Sequence, residues 1–121
     1  MLQNQTVRTE LHVKESSNVC LNTQQICLET ARHCVEMGGK YAEREHVRLF
    51  LDTAALCHTA LDTAGRASWL QAHATSACAA MCARTAAVCD AFPHDERMVR
   101  CARLCRDCVK YCIDANDMPV A

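Results

Sequence analysis

The sequence predicts an all-α protein, an antiparallel up-down-up-down four-helix bundle, and three observations support this fold class. Only three glycines and two prolines occur among the 121 residues, too few for the many tight turns of an all-β fold. Between these breakers, apolar residues and cysteines recur at helical spacing over segments of roughly 20 to 26 residues. The segments are joined by connections of roughly two to four residues, which force consecutive helices to run antiparallel.

The first two helices are bounded by glycines. The Ser-Ser-Asn run at residues 16–18 favours a helix N-cap, so the first bundle helix is predicted to begin there and to end at Met37, before Gly38 and Gly39. The second helix is predicted over residues 40–64, because this stretch contains no breaker and is followed by Gly65.

The last two helices are separated by a proline. The third is predicted over residues 66–91, an alanine-rich stretch that ends shortly before Pro93. Pro93 is then predicted to open the fourth helix, which has Asp95 and Glu96 in its first turn and runs to about residue 116. The bundle is therefore predicted over residues 16–118, and residues 1–15 form a separate N-terminal segment that leaves open a short extra helix.

The cysteines follow the faces of these helices. Each residue advances about 100° around a helix, so cysteines seven positions apart on the first helix are offset by only about 20° per step. The cysteines of the third helix fall within an arc of about 40°, and those of the fourth within about 60°. On the second helix Cys57 is alone, with Thr53 and Phe50 on about the same face. We therefore expect the eleven thiols to point into the core: Cys20, Cys27, Cys34, Cys57, Cys78, Cys82, Cys89, Cys101, Cys105, Cys108 and Cys112.

This pattern predicts metal binding. Free cysteine is a small apolar side chain, so one or two in a core would indicate only packing, and a cysteine-rich core without metal is the plain alternative. Thiolates are soft ligands that select Cu(I), zinc or iron–sulfur clusters. Structural zinc usually takes Cys-x-x-Cys turns and tetrahedral closure, whereas sulfurs along rigid helices suit linear or trigonal Cu(I) with shared thiolates. Three Cys-x-x-x-Cys pairs place two sulfurs one helical turn apart: Cys78/Cys82, Cys101/Cys105 and Cys108/Cys112.

An iron–sulfur site is disfavoured. The spacing Cys101-x3-Cys105-x2-Cys108 matches the cluster motif of radical S-adenosylmethionine enzymes. Those enzymes need a flexible loop and a barrel much larger than this chain, whereas here the same residues continue helically to Cys112.

Two motifs, Cys78-x3-Cys82-x6-Cys89 and VRCARLCRDCVKYC at residues 99–112, resemble the bacterial four-helix-bundle copper storage proteins, and the resemblance covers residues 17–116. It implies a tube of inward cysteines filled with several Cu(I) ions, histidine and methionine ligands at one mouth, and a homotetramer. The sequence is poorer in cysteine than this family's pattern, above all on the second helix. There the positions on or beside the core face carry Thr53, Ala54 and Ala60.

Antiparallel packing gathers further candidate ligands at one end of the bundle, where the first and third helices end and the second and fourth begin. Thioether and imidazole groups there would suit the capture of incoming Cu(I), with core-filling methionines and solvated histidine caps as the alternative. The predicted uptake ligands are His46, His94, Met98 and Met37, next to Cys34 and Cys89. At the opposite end, the bulky residues Leu61, Trp69 and Leu70 are candidates to plug the tube.

The remaining bundle histidines are predicted to lie outside the metal site. His73 is about 140° from Cys78 around the third helix, so it should face solvent. His33 and His58 each neighbour a cysteine by one residue and are expected at the boundary or surface.

Composition excludes several classes of function. A net charge of −1 with interspersed signs gives no footprint for nucleic acid or an anionic membrane. No secretory signal or apolar run of about 18 residues is present, so we expect a cytoplasmic protein, where reduced thiols serve as metal ligands. No polar catalytic constellation is evident, which predicts a protein that is not an enzyme. The alternatives to copper storage are a zinc or copper sensing or delivery protein that binds one or two ions, and a thiol redox buffer.

Overall fold

The structure is a computed structural model that describes the backbone of residues 2–66 and 68–117 and the side chains of residues 18–66 and 68–115. Its four α-helices are α1 (Leu2–Met37), α2 (Arg44–Thr63), α3 (Trp69–Cys89) and α4 (Glu96–Asp117), and a short 3-10 helix, Gly39–Ala42, lies between the first two. No strand occurs in the described backbone. The predicted all-α class is confirmed.

The helices form a square in which each packs against its two neighbours. α1 contacts α2 and α4, and α3 contacts the same two helices. Along α1, Cys27 meets Cys105 of α4, while the later Cys34 meets the earlier Met98, so these two helices run in opposite directions. The predicted up-down-up-down bundle is therefore confirmed. None of the described helices has the length and apolarity needed to cross a membrane.

The start of α1 differs from the prediction. One continuous helix runs from Leu2 to Met37, so the expected helix start at residues 16–18 is wrong, while the division into residues 1–15 and the bundle stays a prediction. Serine and asparagine cost a helix interior at most about 0.7 kcal/mol each, and neither glycine nor proline precedes Gly38. Nothing in this stretch therefore stops the helix. The predicted end of the bundle at residue 118 falls one residue outside the described chain.

Two connections begin their helices later than predicted. Gly38 and Gly39 both have positive φ, 71° and 55°, and the 3-10 turn that follows delays α2 until Arg44. α3 begins at Trp69 because the side chain of Ser68 caps it, accepting a hydrogen bond of 3.1 Å from the backbone N–H of Gln71.

α4 is capped by Asp95. One oxygen of its carboxylate accepts hydrogen bonds from the backbone N–H groups of Arg97 and Met98, at 2.9 and 3.3 Å. This is the end of the helix at which a negative charge complements the helix dipole. The predicted opening of the fourth helix at Pro93 is therefore three residues too early, because Pro93 lies in the turn before this cap.

The core contains few bulky side chains. Phe50 and Met98 are the largest fully buried ones, and most of the other buried positions are cysteine, alanine or threonine. Small side chains allow the four helices to surround a column of sulfur atoms.

Of the three residues predicted to plug one end of this column, Leu61 packs against the core, but the prediction is wrong for Trp69 and Leu70. Trp69 is 77% exposed and stacks on His73, with ring centroids 4.2 Å apart, and Leu70 is 47% exposed. The reason lies in helical geometry, because Trp69 precedes Cys78 by nine residues and so lies about 180° from it around α3.

Candidate metal centre

All eleven cysteines are buried and none forms a disulfide. The most accessible of them, Cys20, is 3% exposed. The predicted inward orientation of every thiol is confirmed. The sulfurs gather into three groups in which all ligand atoms lie within 4.8 Å of one another.

The largest group joins three helices. This four-sulfur group consists of Cys57 of α2, Cys78 and Cys82 of α3, and Cys108 of α4. The sulfur of Cys78 lies 3.6 Å from that of Cys57, 4.0 Å from that of Cys82 and 3.8 Å from that of Cys108. Cys57, the lone thiol of α2, is thus brought into the centre of the site.

A second group shares a member with the first. This terminal group contains Cys20 of α1 with Cys108 and Cys112 of α4. The sulfurs of Cys108 and Cys112 are 3.9 Å apart, as the spacing of one helical turn predicts. Because Cys108 belongs to both groups, one thiolate there can bridge two metal ions.

The third group lies further along α1 and α4. This middle group contains Cys27, Cys101 and Cys105, and the sulfurs of Cys27 and Cys105 are 3.9 Å apart. Interaction with Cys105 of this group raises the pKa of Cys82 in the four-sulfur group. The groups therefore form a continuous column rather than isolated sites.

These spacings suit soft-metal coordination. With metal–sulfur bonds of about 2.3 Å, the length of zinc–thiolate bonds, three sulfurs around a trigonal ion lie about 4.0 Å apart. The closest sulfur pairs across helices, Cys57–Cys78 and Cys78–Cys108, are 3.6 and 3.8 Å apart. Small side-chain rotations would be enough to place an ion among them.

The neighbouring thiols favour the ionised form of Cys108, which belongs to both the four-sulfur group and the terminal group. Hydrogen bonds donated by Cys112, Cys20, Cys57 and Cys78 lower the pKa of Cys108, although burial opposes this. The same hydrogen bonds raise the pKa of the donors Cys78 and Cys112. One thiolate can therefore form while its neighbours remain thiols, and further metal binding must displace their protons.

Cys101 has the same role in the middle group. Hydrogen bonds from Cys105, Cys27 and Cys89 lower its pKa, burial opposes them, and the hydroxyl of Thr30 acts in the same direction as the thiols. The donated hydrogen bonds raise the pKa of Cys27 and of Cys89. Each part of the column thus has one preferred position for the first negative charge.

Two thiols lie outside the three groups, at the end of the bundle predicted as the mouth. Cys34 is fully buried and its sulfur lies 3.8 Å from the thioether sulfur of Met98. Burial raises the pKa of Cys34 to about 11, with further contributions from Cys101 and Asp95. Interaction with Cys101 and burial raise the pKa of Cys89, which relates this thiol to the middle group.

The other predicted uptake ligands are placed differently from Met98. Met37 is 53% exposed, and His94 is also exposed. The imidazole of His46 is 27% exposed, with Nε2 3.5 Å from a carboxylate oxygen of Glu43. Its Nδ1 is buried and has no hydrogen-bond partner among the described residues. The structure thus brings Met98 directly to a thiol, and the uptake roles of all four remain predictions.

Hydroxyl groups replace thiols on part of the core face. Thr53 of α2 and Thr85 of α3 are fully buried, and their hydroxyl oxygens are 2.8 Å apart. Thr53 is one turn before Cys57, and Thr85 follows Cys82 by three residues. The core position predicted for Thr53 is confirmed, as are those of Ala54 and Ala60 at 3% and 2% exposed.

The histidine predictions can be checked directly. His73 and His58 are exposed, as expected. His33 is at the boundary, where its imidazole Nε2 lies 2.7 Å from Asp95 Oδ2 and its ring meets Tyr41 edge-on.

Sequence reasoning missed this contact of His33. Burial raises the pKa of Asp95, but hydrogen bonds from His33, Tyr41 and the capped backbone N–H groups outweigh it and lower that pKa below 3.8. Tyr41 in turn packs against Phe92, with ring centroids 4.1 Å apart. The cap of α4 was visible in the sequence, but no local signal could show that α1 supplies its partner.

Comparison with known proteins agrees with this architecture. A crystal structure of a protein from Nitrosospira multiformis superposes with a TM-score of 0.80 at 27% sequence identity, covering 91% of this chain and 99% of the other. No curated protein matches the chain. The profile of the family described as copper storage protein matches residues 9–117, nearly the whole sequence and every cysteine discussed above. The chain therefore belongs to the copper storage protein family.

Proposed function

We propose that this protein stores copper by binding several Cu(I) ions to the thiolates of its core. The observation that carries the proposal is the continuity of the sulfur column. Three groups of buried cysteines lie along the bundle, and Cys108 is shared between two of them. A family known for copper storage supplies the expected cargo.

Shared thiolates favour Cu(I) over zinc. A structural zinc site is closed by four ligands of its own in a tetrahedral arrangement, and the four-sulfur group could provide one such site. Cu(I) accepts two or three soft ligands and tolerates thiolates that bridge to a second ion. Because Cys108 is shared by two neighbouring groups, the column fits Cu(I) with bridging thiolates better than it fits separate zinc sites.

Storage fits the site better than catalysis or delivery. Every cysteine is buried, so a bound ion would be shielded from water and from other ligands. Delivery or sensing of one or two ions would need only one of the three groups. The family to which the chain belongs is a storage family rather than a catalytic one.

We place copper uptake at the end where Cys34 meets Met98. Neutral thioether and imidazole ligands hold Cu(I) more weakly than thiolate, so they suit transit. Met98 contacts Cys34 directly, and Met37, His46 and His94 lie nearer the surface. Replacing His46, His94 and Met98 together should slow uptake in stopped-flow measurements while leaving the final copper content nearly unchanged, and unchanged rates would remove this route.

We further propose a cytoplasmic homotetramer. Eleven free thiols suit a reducing compartment, where disulfides are disfavoured. On α1, the apolar residues Leu21, Leu28 and Val35 are 41%, 47% and 59% exposed and repeat every seven positions. A heptad stripe of this kind suits packing against another helix. Light scattering coupled to size-exclusion chromatography would test the tetramer, and a monomer at all concentrations would exclude it.

Anaerobic titration with Cu(I) in competition with a chromophoric chelator tests the central proposal. A store takes up many ions, on the order of ten if the counts of metal and thiolate are similar. Saturation at one or two ions would indicate sensing or delivery. Failure to bind Cu(I), with disulfides forming in air, would indicate a redox buffer. A parallel titration with zinc would detect a single tetrahedral site at the four-sulfur group.

A further inference from the structure

Thr30 differs from the other buried threonines. Where side chains are described, six threonines are buried: Thr23, Thr30, Thr53, Thr63, Thr75 and Thr85. Five of them donate to the backbone carbonyl four residues earlier, at 2.7 to 2.8 Å. The hydroxyl of Thr30 is buried and makes no full hydrogen bond to any described residue. Its position is therefore not explained by the helix that carries it.

The packing of α1 against α4 puts this hydroxyl beside the sulfurs of the middle group. Thr30 follows Cys27 by three residues on α1 and is 1% exposed, so it lies inside the bundle beside the middle group. The sulfur contacts Cys27–Cys105 and Cys34–Met98 fix the register of α1 against α4, and this register puts Thr30 level with Ala102, next to Cys101. From this position its hydroxyl lowers the pKa of Cys101. A buried donor without a partner is costly, so its presence at this position calls for an explanation.

We propose that Thr30 is a positioning residue of the middle group, which donates its hydroxyl hydrogen to the Cys101 sulfur once copper has made that sulfur a thiolate. This inference rests on the proposed copper-binding function and deepens it. When Cu(I) binds, the sulfur–hydrogen bond of the thiol breaks, the proton passes to solvent and a copper–sulfur bond forms. The metal-bound sulfur keeps lone pairs and negative charge that can accept a hydrogen bond.

The difference between the empty and the copper-loaded protein explains why the Thr30 hydroxyl has no full hydrogen-bond partner in the empty one. A neutral thiol is a weak acceptor, whereas hydrogen bonds to an ionised acceptor are about twice as strong as those between neutral groups. The hydroxyl thus contributes more to the copper-loaded protein than to the empty one. A group that interacts differently with two states shifts the equilibrium between them, here towards copper binding.

The test compares Thr30→Val with Thr30→Ser and with the matched control Thr23→Val. Thr23 is fully buried on the same helix, but its hydroxyl already bonds the Val19 carbonyl at 2.8 Å. In anaerobic competition, we expect Thr30→Val to release about one copper per chain at roughly tenfold lower chelator concentration. Thr30→Ser should restore wild-type retention, and Thr23→Val should leave it unchanged.

Stability of the empty protein gives a second readout. Thr30→Val removes an unpartnered hydroxyl with little change of shape, so its apo form should unfold at the same or higher temperature than the wild type, whereas apo Thr23→Val should unfold at a lower one. In a Cys101→Ser background, the copper effect of Thr30→Val should vanish, because the acceptor has gone.

Equal copper retention by wild type and Thr30→Val would overturn the inference while leaving copper storage intact. A Thr30→Val effect that persists without Cys101 would also overturn it, and so would a Thr30→Val apo protein as destabilised as Thr23→Val. A wild-type protein that takes up no Cu(I) would instead overturn the proposed function, and the inference with it.

Discussion

Replacing Cys108 should reduce the number of bound copper ions more than replacing any cysteine outside the three groups. It is the one thiol that belongs to both the four-sulfur group and the terminal group. Its sulfur lies 3.8 Å from that of Cys78 and 3.9 Å from that of Cys112. Replacing it by serine keeps the side-chain shape but removes a soft ligand from two groups at once.

The expected loss follows from the membership of the groups. Without Cys108, the four-sulfur group keeps three members and the terminal group keeps only Cys20 and Cys112. If copper and thiolate numbers are similar, loss of an unshared thiol costs about one ion, whereas loss of a bridging thiol costs about two. The matched control is Cys89→Ser, because Cys89 is equally buried but belongs to none of the groups.

The assay is copper content after anaerobic loading and removal of loosely bound metal, measured per folded chain. Cys108→Ser should lose about twice as many ions as Cys89→Ser. Both variants bury a new hydroxyl, so circular dichroism and thermal unfolding of the apo proteins must confirm that they fold alike. Equal losses from the two variants would refute the argument that Cys108 bridges neighbouring ions.

Three further predictions concern stability and capacity. Burial raises the pKa of Cys34 from 9.0 to about 11. Its contribution to apo stability is therefore fully present below pH 9 and should fall by about 3 kcal/mol as pH rises through 11. Denaturant unfolding across this range would show it, and a flat profile would contradict it. Asp95→Ala removes the cap of α4 and the partner of His33, so the free energy of unfolding should fall by about 1–2 kcal/mol in urea titrations, and a loss within error would exclude this role. The double variant Thr53→Cys, Thr85→Cys places two thiols one turn from the four-sulfur group, where it should add about one Cu(I). The matched double valine variant should add none, and an unchanged content in the cysteine variant would show that this level of the core cannot hold copper.

The faces of the helices could be predicted because helical periodicity is a local property. Cys20, Cys27 and Cys34 repeat every seven residues, so their common face did not depend on how the helices pack. Burial of all eleven cysteines followed from the same argument. Helical periodicity could also have corrected the prediction for Trp69. Trp69 precedes Cys78 by nine residues, which places it on the outer face of the helix.

The grouping of the sulfurs could not be predicted in the same way. Which thiols meet across helices depends on the axial register of four helices, and the connections set that register. The 3-10 turn after Gly38 shifts the start of α2 by four residues relative to the prediction, and this sets the height of Cys57. The contact between the sulfurs of Cys57 and Cys78 therefore depends on tertiary packing and could not be predicted from local sequence.

The start of α1 was mispredicted for a different reason. Serine and asparagine at residues 16–18 are good N-caps, but they are also tolerated inside a helix. A cap residue ends a helix only if the chain also turns there, and no glycine or proline makes it turn. Propensity alone gave the wrong boundary.

The position of α4 governs the metal centre as a whole, since this helix contributes to all three sulfur groups. Its first turn is capped by Asp95, and the same carboxylate is bound by His33 of α1. That contact fixes α4 relative to α1 by atoms that are not thiols. Because the helix with the most candidate ligands is held in place independently of metal, we expect the bundle to fold without metal and to present its sulfurs already arranged. The unpartnered hydroxyl of Thr30 beside Cys101 is what such prior arrangement predicts, a donor placed for a charge that arrives only with the metal.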